Sequence, residues 1–326
     1  MSGGAGRSLA TNAGLVALPL FVPSVSSVKS DLRPSEIVEI LVSAGAPAIL
    51  YSAYDYDRAT DEERGRIESA VHRAADRGDV VFMDSGRYES YWLRDKTWTE
   101  ERYRGTLPTA AQGYCFMYDV PQETRDVALI AAAVIGQTVA DQRFAKSAAI
   151  VPIVHGPPDV LPDAVARVAK SLAPQVIAVP ERELGDGLLR RASTVREIRN
   201  SLDEASPQTA LHLLGTGNPL SILVYASMGA DTFDGLEWCQ TVVDHRSGRL
   251  FHLQQYDLFR DQTDLAAVDV PYRAKAMVHN LVFLTTWMDR VRKDVRSPDH
   301  PLLFESLERE NAHGAVRHLG EVLGVK

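Results

Sequence analysis

Cysteine is scarce in this sequence: two residues in 326, Cys115 and Cys239. Neither belongs to a CxxC pair, which excludes a thiolate zinc cluster within one chain. Cys115 lies in the strand-like run YCFMY, and a reduced protein is the better expectation than one held by a disulfide. Long apolar runs are also lacking; none reaches the roughly 18 residues needed to cross a bilayer. The opening MSGGAGRSLATNAGLVALPLFVPS lacks the basic start and unbroken apolar stretch of a signal peptide. The expected location is therefore cytoplasmic, away from membranes. Positive charge is not in excess: Lys and Arg number 35 against 43 Asp and Glu, a net −8. That excludes a surface coated for indiscriminate nucleic-acid binding, although a local basic stripe is still allowed. No GxGxxG follows the first apolar run, which counts against a Rossmann dinucleotide fold. No HxH or HExxH supplies metal-ligand spacing, so neither a metal nor a cofactor is expected.

What is present is a rhythm. Apolar residues make up 45% and charged residues 24%, ordinary values for a globular enzyme. Eight short apolar runs stand at LPLFVP (18–23), AILYS (48–52), VVFM (80–83), YCFMY (114–118), AIVPIV (149–154), VIAV (176–179), LHLL (211–214) and DTF (231–233). Helical patterns separate them, among them PSEIVEILVSAG, DEERGRIESAVHRAADRG ending at Gly78, and the alanine-rich PQETRDVALIAAAVIGQTVADQRF. Continuous apolar strands alternating with amphipathic helices are the signature of βα units with buried parallel strands. Eight of them predict an α/β fold, a (β/α)₈ TIM barrel. The barrel core is expected over 1–239, beginning near residue 17. Residues 240–270 break the rhythm and read as an insertion or irregular substrate-binding segment. C-terminal helices over 271–326 then complete and flank the barrel, one in PYRAKAMVHNLVFLTTWMDRVRKDV and one in LFESLERENAHGAVRHLGEVLG.

In a (β/α)₈ barrel the residues at the C-terminal strand ends face the active site. Asp84 ends VVFM, Asp119 ends YCFMY, His155 ends IVPIV and Asp234 ends DTF. Each also has an ordinary reading. Asp84 and Asp234 precede turn residues, Asp119 precedes a possible helix start, and His155 precedes Gly-Pro-Pro. Their shared placement on four strands favours a site. Two carboxylates in one site permit glycosyl transfer, in which one attacks or stabilises an oxocarbenium-like carbon and the other moves a proton. These residues alone do not name the substrate.

Three blocks then become informative together: Asp84-Ser-Gly-Arg-Tyr88, His212-Leu-Leu-Gly-Thr-Gly217 and Met228-Gly-Ala-Asp-Thr-Phe-Asp234. In this order, with PLFVPSVSSVKSDL before them and VHNLVFLTTWMDRVRK after, they resemble the tRNA-guanine transglycosylase superfamily. The likeness runs in scattered blocks over roughly residues 17–293. It is closest in character to the relatives that place 7-deazaguanine bases in DNA. The resemblance implies a (β/α)₈ barrel that exchanges guanine for a 7-deazaguanine base by double displacement, through a covalent enzyme–sugar intermediate. By motif, Asp234 is the nucleophile on C1′ and Asp84 the acid/base for the leaving and incoming bases. Asp119 reads the base edge, Tyr88 stacks on the heterocycle and Leu214 packs its other face. Backbone groups near Ala178 and Val179 add contacts. Repulsion between Asp84 and Asp119 is expected to raise one pKa into a useful range.

Departures from the family pattern sharpen the expectation. His155-Gly156 stands where the family has glutamine-glycine, leaving a donor for the base O6 whose charge depends on pH. Arg87 replaces a glycine and brings a cation toward the pocket, to hold a phosphate or narrow the accepted base. His279 matches the family's zinc histidine, yet the cysteines have no counterparts between 240 and 278. No structural zinc is expected, and His279 becomes a packed or capping residue. Loss of that subdomain favours DNA as partner over tRNA, with a homodimer or an accessory protein as further possibilities. Backbone phosphates call for cations. Arg246 and Arg249 of DHRSGR are the first candidates; Arg94, Lys96, Arg102 and Arg104, and then Lys275, Arg290, Arg292 and Lys293, are others. Trp92, Trp98 and Tyr103 read either as a stacking surface or as a lid over the barrel mouth. The alternatives to DNA base exchange are a tRNA enzyme with a reduced RNA-binding region, a non-catalytic nucleobase or nucleic-acid binder, and a nucleoside hydrolase.

Overall fold

The computed structural model describes residues 7–296 apart from residues 29 and 122. The helical pattern expected at 303–324 lies outside the described residues.

A short antiparallel hairpin opens the chain, β1 (Ser8–Thr11) with β2 (Gly14–Ala17). The eight expected apolar runs all form strands: β3 (Leu20–Pro23), β4 (Ala48–Ser52), β5 (Val80–Asp84), β6 (Tyr114–Phe116), β7 (Ala149–Val151), β8 (Val176–Pro180), β9 (Ala210–Leu214) and β10 (Thr232–Gly235). They pair in parallel as two four-stranded sheets, ordered β4-β5-β6-β7 and β3-β10-β9-β8. Single parallel bridges, Ser24↔Leu50 and Ile153↔Ala178, link the two sheets at either end. The result is a TIM-barrel-like α/β architecture with helices between the strands.

The helices follow local chemistry. Within α1 (Pro34–Ser43), Pro34 stands at the first turn. After α2 (Ala53–Arg58), α3 (Asp61–Arg77) starts at a Thr60–Glu63 capping box and stops at Gly78. Two helices then fill the β5–β6 connection, α4 (Arg87–Trp92) and α5 (Glu100–Ala110). The alanine-rich crossover is shorter than its sequence pattern. As α6 (Val127–Gln142) it starts where the Asp126 carboxylate accepts from the Ala128 and Leu129 amides. In α7 (Leu161–Leu172), Leu161, Ala164, Val165, Val168 and Ala169 are buried at the spacing of one helical face. α8 (Gly187–Ala205) and α9 (Pro219–Ser227) follow, the latter capped by Asn218.

A one-turn helix, α10 (Glu237–Gln240), leads into the segment that breaks the rhythm. That segment is a hairpin, β11 (Thr241–Val243) with β12 (Leu250–His252), and then short 3₁₀ turns between residues 253 and 267. Val242, Leu253, Tyr256 and Ala276 give it a small apolar cluster of its own. It is tied to α11 (Tyr272–Arg296) through Asn280, whose side chain bonds the backbone of Val243, Trp238 and Thr241. α11 in turn grips the barrel elements: Arg292 donates to the Pro19 carbonyl, just before β3, and Trp287 to the Pro219 carbonyl, at the start of α9. Among the described residues no helix is long and apolar enough to cross a membrane.

Candidate active site

A cavity of about 460 Å³ opens at the C-terminal strand ends, a size suited to a small-molecule ligand. Asp84, Arg87, Tyr88, Asp119, Leu214 and Asp234 all line it. Six of the residues predicted from sequence thus meet in one place.

Asp234 is buried and held by three donors. Ser24 Oγ reaches its Oδ2 at 2.7 Å, while His212 Nε2 and the Gly215 amide reach Oδ1 at 3.1 and 3.0 Å. His212 is fixed from behind by Thr232 Oγ1 at 2.9 Å, and its ring packs against both Phe82 and Phe116, at 5.5 and 5.0 Å. Such a frame fixes the carboxylate's direction.

Asp84 sits in the opposite surroundings. It is half-buried at the end of β5 and accepts the Gly86 amide at 2.9 Å. Burial is the main cause that raises its pKa, and the Gly86 amide opposes the rise. Repulsion from Asp119 and Asp234 adds to it, and the carboxyl is pushed up to about 7. The expected repulsion with Asp119 is present, but burial outweighs it. The turn needs Gly86, which has φ +79°; a Cβ there would meet Tyr54 Cβ at 2.4 Å.

His155 and the β8 backbone differ from expectation. His155 does not line this cavity. It is buried, with Nε2 donating to Asp119 Oδ1 at 2.5 Å and Nδ1 to Glu183 Oε1 at 2.6 Å. Burial pulls its pKa down, but the two carboxylates outweigh it and the ring titrates at about 9. Both nitrogens are therefore committed to holding Asp119 rather than offered to a ligand. Ala178 and Val179 are fully buried in β8 and stand outside the cavity lining. The Ala178 amide and carbonyl are spent on Pro152 and Val154. From this part of the chain, Pro180, Glu181 and Arg182 reach the cavity instead.

Four glutamates complete the site, and the strand-end pattern missed them. Glu183 holds His155. Glu89 is buried and accepts from Ser26 Oγ and Ser52 Oγ at 2.6 and 2.8 Å. Burial, with the charges of Asp55 and Asp84, raises its pKa to about 8. Glu181 is oriented by Arg191 and Tyr225, both at 2.9 Å. The Glu237 carboxylate fills the space where a Cβ on Gly217 or Gly235 would lie, at 2.0 and 2.4 Å. Burial raises the Glu237 pKa, against the Gly217 amide, and the nearby Asp234 and Glu181 charges contribute.

Among the predicted cations, Arg87 lies over the Tyr118 ring at 5.4 Å and is exposed at the rim. Arg246 and Arg249 are exposed in the β11–β12 turn, away from the cavity lining. Arg102 is paired with Asp57, and Arg104 with Glu100 and Asp141. The aromatic group divides: Trp98 and Tyr103 are buried, whereas Trp92 is exposed. His279 donates from Nε2 to the Val243 carbonyl at 2.8 Å, and its Nδ1 faces Thr263 Oγ1 at 3.4 Å. Burial lowers its pKa to about 4. Both nitrogens are occupied by oxygen partners, and the nearest potential ligand, His245 with its ring 4.1 Å away, spends Nε2 on the His279 carbonyl, so these residues do not fit a zinc ion. No group of three or more His, Cys, Asp or Glu among the described residues fits a metal ion. Compared with known protein families and with curated proteins, the sequence finds no match.

Proposed function

We propose that this chain is a member of the tRNA-guanine transglycosylase superfamily that exchanges guanine in DNA for a 7-deazaguanine base. One observation carries the reading: two carboxyl groups in one cavity meet opposite surroundings. Asp84 keeps its proton near neutral pH, and Asp234 is oriented by three donors. Pairs of carboxyls whose surroundings push them apart divide into acid and nucleophile. The eight parallel strands close into a (β/α)₈ barrel; bridges between the sheets at both ends support this.

In the first displacement an Asp234 oxygen attacks C1′, and the C1′–N9 bond breaks with its electron pair going to the base. Asp84 gives that base a proton, so it leaves as neutral guanine. In the second, the incoming 7-deazaguanine attacks C1′ through N9, loses its N9 proton to Asp84, and expels the Asp234 carboxylate. Asp119, braced by His155, accepts from the N1–H and 2-amino edge of either base. Tyr88 and Leu214 enclose the ring. The target nucleotide leaves its stack to reach C1′.

The test is release of radiolabelled guanine from DNA and, separately, from tRNA, in the presence of a panel of 7-deazaguanines. Release from DNA that is lost in Asp234→Asn is the expected result. Release from tRNA alone would move the substrate to RNA. Release without any added base would mean hydrolysis. No release from either substrate, with no Asp234–sugar adduct on denaturing gels, would refute base exchange.

A further inference from the structure

The helix that follows Asp84 carries an unusual load. Within residues 88–93, Tyr88 is 39% exposed, Tyr91 75%, Trp92 52% and Leu93 53%. Four large apolar side chains side by side in water mark a contact surface. The patch is ordered within itself. Tyr88 and Trp92 meet edge to face with centroids 6.2 Å apart, and Tyr91 and Trp92 do so at 5.7 Å.

Its mount is firm. Asp95, just past the patch, accepts from the Thr97 amide and hydroxyl, from Tyr54 Oη and from Arg58. Beneath it, Trp98 Nε1 donates to the Ser85 carbonyl and its ring meets Tyr54 edge to face at 5.4 Å. Exposed apolar residues on a braced support resemble a tool more than a loose loop. The patch also adjoins the cavity, because Tyr88 belongs to both. Arg87, Arg94 and Lys96 are exposed around it, and no ion pair among the described residues uses them. Their neighbours Arg58 and Arg102 are, by contrast, paired with Asp95 and Asp57.

Aromatic faces ringed by cations that no carboxylate neutralises match a chain of stacked, anionic nucleotides. We infer that Tyr91, Trp92 and Leu93 form a wedge that enters the base stack of a DNA strand beside the nucleotide drawn into the cavity. Tyr91 and Trp92 take the π faces of the flanking bases, Leu93 fills the opened step, and Arg87, Arg94 and Lys96 meet the phosphates. The identity of the base in the cavity rests on the exchange reading above; the wedge itself does not. Apolar wedges elsewhere offset the cost of unstacking in this manner.

Trp92 offers a direct readout. The other three tryptophans, Trp98, Trp238 and Trp287, are buried with their indole N–H groups on backbone carbonyls. Stacking on a base therefore quenches Trp92 emission and little else. The full chain is titrated with a thymine-rich single-stranded DNA carrying one guanine, and with its RNA counterpart. The expected result is quenching by DNA that disappears in Trp92→Phe. In Tyr91→Ala/Trp92→Ala, DNA binding weakens on the order of 10- to 100-fold with the circular dichroism unchanged. Absent quenching, equal binding by the double variant, or quenching by RNA alone would overturn the inference. Guanine release separates the two readings. If release is absent while quenching stands, exchange fails and the wedge survives. If release proceeds and the double variant keeps its KM for DNA, the wedge fails and exchange survives.

Discussion

Asp84 and Asp234 carry the same carboxyl group and meet opposite surroundings. Asp234 collects donors, whereas Asp84 sits among carboxylates with one strong amide partner. If Asp84 is the acid of the first displacement, kcat/KM for DNA falls as pH rises through about 7, and Asp84→Asn loses about 10²- to 10⁴-fold. A pH–rate profile flat across this range would take the proton-donor role away from Asp84. Stability has a pH dependence of its own. Folded Asp84 and Glu89 keep protons that unfolded carboxylates release near pH 4, so their raised values, about 7 and 8, make the fold less stable as pH rises through that interval. His155, raised to about 9, stabilises the fold fully below its unfolded value and loses that support as pH rises through about 9. All three signs agree. The melting temperature should decline from pH 6 to pH 9, and Glu89→Gln should flatten the decline and raise the melting temperature at pH 8. Calorimetry across that range checks it, and a rising curve would contradict the assignment.

Between residues and fold stand the elements, where the sequence was readable in part. The eight strands could be found because each is a short, continuous apolar run buried on both faces. Asp84, Asp119 and Asp234 could be found because strand ends place them at one level. The glutamates could not. Glu89, Glu181, Glu183 and Glu237 stand on the turns and short helices that follow strands, where nothing in the local pattern marks a side chain as turned inward. Helices α2, α4 and α5 were missed for a related reason: they are short or rich in charge and aromatics, and no apolar stripe announces them. Arginines are equally legible wherever they stand, so partnership alone decided that Arg102 is paired with a carboxylate and Arg94 is not. At the Asp84 turn, backbone conformation is decisive. Gly86→Ala forces a left-handed residue against Tyr54, costing about 1–2 kcal/mol for the conformation and a further 1–3 for the clash. Urea unfolding should show the loss, and an unchanged midpoint would mean that the turn relaxes freely.

Across the whole molecule, the charge balance and the location of cations have to be reconciled. A net −8 chain meets an anionic polymer only through selected surfaces. The β11–β12 turn offers Arg246 and Arg249, and the rim offers Arg87, Arg94 and Lys96. If the turn arginines each neutralise a phosphate, Arg246→Ala/Arg249→Ala lowers the slope of log Kd against log salt by about one to two, with little change in sequence preference. An unchanged slope would place the backbone path elsewhere and leave the rim to carry it.

The grip of α11 on Pro19 and Pro219 has a consequence for biosynthesis. A nascent chain that has emerged as far as residue 240 already holds all eight parallel strands, but not the helix that ties Pro19, before β3, to Pro219, at the start of α9. β3 and β10 can pair as soon as β10 has emerged, so what waits for later residues is the clamp that α11 places beside that seam. The cavity's lining ends at Gln240, so its walls are complete in sequence before α11 is made, and α11 serves to hold the elements that carry them. Stalled intermediates lacking residues 272–296 are the forms most in need of a chaperone.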